Sequence, residues 1–154
     1  MALALEEAKK AAETGNMAVG AIIVRGGDVL SRGHNAVEST FDISAHAEAV
    51  AIRNMTMGLR QLNPTSQAAS GPFAGAILYA TLEPCPMCCW LACIAGISSL
   101  VIGARHADLG IPFGDYQVEK LVKMTKRNIK LVTGVLADEC AVLCRSGRFV
   151  PGPR

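Results

Sequence analysis

The spacing of apolar residues changes several times along the chain, and each change predicts a different element. Leu3 to Glu13 reads as an alanine-rich helix, with Glu6 and Glu7 early, Lys9 and Lys10 late, and Gly15 as its stop. Val19 to Arg25 and Val29 to Gly33 read as short strands around the turn signal Gly26-Gly27-Asp28. A second helix is predicted from Ser44, a suitable N-cap, through Met55 or Met57, with Gly58 marking its end. Proline, serine and glycine then crowd Leu59 to Gly75, which reads as a loop able to vary or to help cover a site.

Beyond that loop the apolar runs shorten and alternate in type. Ala76 to Thr81 reads as a strand, Pro86 to Ala95 as a helix and Ser98 to Gly103 as another strand. Asp115 to Lys126 is predicted helical, Ile129 to Val132 a strand, and Ala137 to Cys144 a last helix. A hairpin followed by alternating helices and strands predicts an α/β fold: a three-layer α/β/α sandwich around a mixed central sheet.

Composition narrows the class. The 154 residues are 51% hydrophobic and 18% charged, which suits one compact domain spanning residues 1–154. Fifteen basic and thirteen acidic residues leave a net charge of +2, which neither demands nor excludes nucleic acid. Pro84 to Ala104 carries no formal charge, but Pro86, Gly96, Ser98 and Ser99 break it, so a buried helix and strand fit better than a membrane span. The first ten residues carry charge too early for a secretory signal, and a soluble cytoplasmic protein is expected. Six clustered cysteines in such a compartment point to metal binding or packing rather than disulfides.

The candidate chemistry lies in His46-Ala47-Glu48 and Pro84-Cys85-Pro86-Met87-Cys88. Two thiolates and a neutral imidazole balance the charge of Zn²⁺ and leave a fourth position for water. Cys85 and Cys88 are three apart, on one side of a helix's first turn, where N–H groups favour anionic sulfur. His46 and Glu48 are two apart and cannot share a helical direction; one can bind metal while the other reaches the water as a proton shuttle. Each half alone is weak, since a lone Cys-x-x-Cys also serves redox pairs and structural zinc. Together they resemble the paired motif of zinc nucleobase deaminases. Cys140 and Cys144 could complete a structural four-cysteine site, but their i, i+4 spacing reads more simply as packing, as do Cys89 and Cys93.

At these motifs the sequence resembles the cytidine deaminase superfamily, in the branch of tRNA adenosine, guanine and fungal-type cytosine deaminases. The likeness runs from about Ala18 to Cys144. It includes Val19-Gly-Ala-Ile-Ile-Val24, Gly33-His-Asn35, Ala45-His-Ala-Glu48 and Thr81-Leu-Glu-Pro-Cys-Pro-Met-Cys88. The resemblance implies about five strands sandwiched by helices, and a homodimer whose interface borders the active sites. It also implies the reaction: hydroxide generated at zinc attacks the amine-bearing carbon, and Glu48 protonates the adjacent ring nitrogen and assists loss of ammonia. Asn35, with backbone near Ala47 and Glu83, is then expected at the substrate, although Asn35 by itself also reads as a turn residue.

The substrate divides the motifs. Gly103-Ala-Arg105 and Gly134-Val-Leu-Ala-Asp-Glu-Cys140 resemble tRNA adenosine deaminases, but His106-Ala-Asp-Leu-Gly-Ile-Pro-Phe-Gly-Asp115 departs from their Lys-x-Gly-Ala-x-Gly-Ser-like stretch, and the tail is less basic than theirs. His106 and Asp115 resemble guanine deaminases, in which an acidic residue matching Asp115 moves a proton or binds the purine. Asp115 otherwise reads as a helix cap, and His106 as a surface histidine. Guanine deaminases differ in carrying Phe where Val19 stands, and Phe149 is the one aromatic in this tail able to reach the site. The expectation is a guanine- or cytosine-like free base. The alternative is tRNA adenosine deamination, and a non-catalytic zinc or RNA-binding module stands third.

Overall fold

The computed structural model describes residues 1–62 and 73–147, arranged around a single five-stranded sheet. Its strands are β1 (Gly20–Arg25), β2 (Asp28–His34), β3 (Ile77–Leu82), β4 (Ser99–Ala104) and β5 (Lys130–Val132), in the order β2-β1-β3-β4-β5. β1 is antiparallel to both of its neighbours, whereas β3, β4 and β5 run parallel. Gly26 and Gly27 close the first hairpin at φ 61° and 95°, the left-handed backbone that a tight two-residue turn requires.

Helices cover both faces: α1 (Ala2–Glu13), α2 (Val37–Thr40), α3 (Ala47–Leu62), α4 (Pro86–Ala95), α5 (Val118–Met124) and α6 (Ala137–Ser146). Two glycines at adjacent register positions assign the faces. A Cβ on Gly20 would overlap the backbone of Ala4 and Ala8 in α1, and one on Gly33 would overlap Ala47 and Ala51 in α3. Gly33 pairs with Ala21, so α1 and α3 sit on opposite sides of the pleat. The three-layer α/β/α sandwich is the architecture that the alternating elements predicted. Ile22, Ile23, Leu78, Leu100 and Ile102 form the center of the core, all at 2% exposure or less.

Several predicted boundaries move. α3 begins at Ala47, not Ser44; the Ser44 hydroxyl instead donates to Asp42 Oδ1 at 2.6 Å, and the Val50 N–H bonds the His46 carbonyl, which puts His46 at the N-cap. Gly58 does not end α3, because Met55 and Leu59 continue the stripe that packs on the core and the helix runs to Leu62. The predicted loop thus shrinks at its start, and its central residues 63–72 lie outside the described residues. Asp115 does not open α5, which starts at Val118 with Gln117 as N-cap. Gly114, at φ 55°, and a Tyr116 N–H bond to the Phe113 carbonyl make a turn there instead. The short α2 and a single 3₁₀ turn at Ala107–Leu109 carry too few residues to show a period in sequence.

Glu7 pins α1 to the sheet. Its carboxylate is 3% exposed, yet it meets Lys10 Nζ at 2.7 Å, His34 Nδ1 at 3.1 Å and Arg32 at 3.8 Å. Burial alone would raise the Glu7 carboxyl, but the bonds from Lys10 and His34 outweigh it and hold it below the ordinary carboxylate value. A depressed folded-state value contributes stability that is present above the unfolded value and lost as pH falls through the folded one. Urea unfolding should therefore show that acidification destabilises the parent chain more than Glu7→Gln; equal pH slopes would remove this role.

Candidate active site

Two helix N-termini converge at the C-terminal ends of the parallel strands, where α/β sheets commonly bind ligands. The chain leaves β2 and enters α3 with His46 at the N-cap and Glu48 in the first turn. It leaves β3 and enters α4 with Cys85 at the N-cap, Pro86 at the first helical position and Cys88 two residues further. Proline suits that position because its missing N–H would have no intrahelical partner. Both helices thus aim unpaired backbone N–H groups and positive dipole ends at the same spot.

There His46, Cys85 and Cys88 bring one ligand atom each within 4.8 Å of one another, the one such cluster found among the described residues. Cys85 Sγ lies 3.5 Å from His46 Nδ1, which matches the roughly 3.5–3.8 Å between ligands of a tetrahedral zinc. The electrostatics also fit a cation. The Cys88 thiol's hydrogen bond and His46 push the Cys85 thiol far below its ordinary value, while the same bond and burial push Cys88 up. The Cys85 contact raises His46. Glu48, 3% exposed, is pushed up to about 7 by burial first and by Cys85 second. Buried acids that resist ionising side by side are what a divalent ion would relieve.

The cluster opens into a cavity of about 230 Å³. Of the residues singled out in the sequence, Asn35, Ala47, Glu48, Glu83 and His106 line it together with His46 and Cys85. Asn35 Oδ1 accepts the Val37 N–H at 3.2 Å, which orients the amide and leaves Nδ2 as a donor. Glu83 Oε2 accepts the His106 N–H at 3.1 Å and pairs with Arg105 Nε at 3.2 Å. Asp115 is exposed and does not line the cavity, and Phe149 lies outside the described residues. Val19 and Phe113, which entered the sequence reading through the likeness to guanine deaminases, supply apolar wall together with Leu82 and Ile111, which it did not single out. For Phe113 the signal was its place in the segment after Arg105. Cys89, Cys93, Cys140 and Cys144 are buried in the core, and all six cysteines are free thiols.

Residues 1–104 match the family described as the cytidine and deoxycytidylate deaminase zinc-binding region. The chain belongs to this family. It is 44% identical to a chloroplastic tRNA(adenine(34)) deaminase of Arabidopsis thaliana over 70% of its own length, but it spans only 8% of that relative. It is 33% identical to a tRNA-specific adenosine deaminase of Bacillus subtilis, with 89% of this chain and 79% of that protein covered. A structure from work on A-to-I editing by tRNA deaminases at the wobble position matches at TM-score 0.75 and 32% identity, over 93% of this chain and 96% of that one. A guanine deaminase structure from Nitrosomonas europaea matches at 0.75 and 27% identity, over 94% and 80%. The expected zinc cofactor agrees with the family and with the donor cluster. No helix among the described residues is long and apolar enough to cross a membrane.

Metal analysis should find one zinc per chain, lost in Cys88→Ala and in His46→Ala. Full retention in both variants would place the metal elsewhere.

Proposed function

We propose that this chain is a zinc-dependent hydrolase that converts adenosine in tRNA to inosine, with release of ammonia. The observation that carries the chemistry is the buried Glu48 carboxyl beside the His46, Cys85 and Cys88 cluster, at the floor of an open cavity. The substrate rests on similarity to proteins named as tRNA adenosine deaminases, which outweighs the free-base reading of the His106–Asp115 segment.

His46, Cys85 and Cys88 hold the metal, and bound zinc supplies the Lewis acidity that makes water a nucleophile at neutral pH. Glu48 takes a proton from the attacking water and delivers it to the ring nitrogen beside the amine-bearing carbon. It then passes the second proton to the departing amine, so that water and the amine become a carbonyl and ammonia. Asn35 Nδ2 donates to the substrate, and backbone at Ala47 and Glu83 completes its orientation. Val19 and Leu82 exclude bulk water from the reacting carbon.

A second reading, deamination of a guanine-like free base, is supported by His106 and Phe113 at the cavity wall. The exposed position of Asp115 weighs against the proton-transfer role that this reading would give it. Ammonia release and inosine formation should be seen with a tRNA anticodon stem-loop carrying a wobble adenosine. Turnover of guanine or cytosine without turnover of the stem-loop would overturn the tRNA reading. Glu48→Gln should retain zinc and lose about 10²–10⁴ in rate, the usual contribution of a positioned acid–base; near-normal turnover would remove its role.

The chain acts as a homodimer in this proposal. Met87, Trp90 and Ile94 form a helix-spaced apolar stripe on the solvent side of α4, at 42%, 44% and 55% exposure. Met57 of α3 is exposed as well, and Phe41 and Ile43 stand out on the loop leading to His46. Exposed apolar side chains of this kind, with Met57 and Met87 beside one shallow groove, suit a second copy of the chain. Sedimentation should give twice the 16.2 kDa chain mass, and Trp90→Glu should shift it to the monomer. A monomeric parent chain would discard the dimer.

A further inference from the structure

Tyr116 takes no part in the chemistry above, yet its side chain makes a long-range hydrogen bond beside the site. Its hydroxyl donates to the Pro84 carbonyl at 2.7 Å, across a separation of 32 residues. Pro84 is fully buried, has no N–H, and directly precedes Cys85. The last anchor to the sheet before it is the Glu83 N–H bond to the Ala104 carbonyl at 2.8 Å. Beyond that bond the chain leaves β3 and must place Cys85 for the metal.

The other end of the contact is the cavity wall. Tyr116 packs with its ring centroid 6.1 Å from those of both Phe113 and His106, and those two rings lie 4.6 Å apart. Phe113 and His106 line the cavity; Tyr116 stands behind them. The Tyr116 hydroxyl thus fastens the three-ring cluster to Pro84, next to the Glu83 bond to the His106 N–H.

We propose that Tyr116 is a positioning residue: its hydroxyl fixes the Pro84 carbonyl, and so the approach of Cys85 to the metal, while its ring holds the His106–Phe113 wall in register with that loop. This role rests on the reading of His46, Cys85 and Cys88 as the metal site. Hydrogen-bonded groups just outside a ligand set commonly contribute about 10–100-fold to metal affinity or activity. A backbone anchor one residue from a ligand belongs at the lower end of that range.

Tyr116→Phe removes the hydroxyl and keeps the ring. Zinc release to a chelator should be about 10-fold faster or more, and the visible bands of the cobalt-substituted protein should shift. The urea midpoint of the metal-free form should change little, which separates positioning from a general loss of stability. Phe113→Leu should leave zinc release unchanged and weaken binding of the stem-loop. Zinc release and cobalt bands identical to the parent in Tyr116→Phe would overturn the proposal, as would equal destabilisation of the metal-free and zinc-loaded forms. Zinc binding at parental strength in both His46→Ala and Cys85→Ala would instead sink the metal assignment itself, and the proposal with it. Loss of zinc in those two with a parental Tyr116→Phe would sink the positioning role alone.

Discussion

Two thiols, an imidazole and a carboxyl packed at one spot cannot all take their charged forms without a counter-ion. In this protein they are forced together: Glu48 is buried, and Cys85 lies against His46 at 3.5 Å. Burial raises the Glu48 carboxyl, the Cys85 contact and burial raise the Cys88 thiol, and the contacts with Cys88 and His46 lower Cys85. A divalent cation among the three ligand atoms resolves that conflict, and helix N-termini on two sides add to the stabilisation of the sulfurs. The same burial raises the Glu48 carboxyl above the ordinary carboxylate value, which is the direction the proposed proton shuttle calls for.

Holding the four groups there is the work of the sheet. β2 and β3 deliver the two helices, and β1 between them fixes their separation. Close approach is possible because Gly33 carries no side chain where α3 crosses it, and Gly20 none where α1 crosses the other face. A methyl group at either place would meet backbone, which cannot rotate aside. On the α1 side, Glu7 ties the helix to His34, the residue before Asn35, so the outer layer supports the cavity as well as the core.

The cavity's far wall comes from the segment after β4, the least regular part of the described chain. Glu83 secures its start through Arg105 and the His106 N–H, and Tyr116 secures its end through the Pro84 carbonyl. Both tethers run to the stretch that enters the metal loop. The donor cluster and the cavity wall are thus two faces of one connected strip of chain.

The sequence by itself determined the layered α/β fold and the metal chemistry. Periods of 2 and 3.6 show wherever a strand or helix has one buried face, and the donor types and short spacings of His46-x-Glu48 and Cys85-x-x-Cys88 are local properties. Short elements without a full period, such as Val37–Thr40, left no mark. Gly58 misled because glycine lowers helix propensity without forbidding a helix whose stripe continues through Leu59. Asp115 looked like a site residue beside Phe113, yet the Gly114 turn leaves one exposed and the other on the cavity wall. Tertiary structure alone decided that His46 meets Cys85 across 39 residues and that Tyr116 reaches Pro84 across 32. Such contacts depend on how strands order and helices pack, which no local pattern encodes.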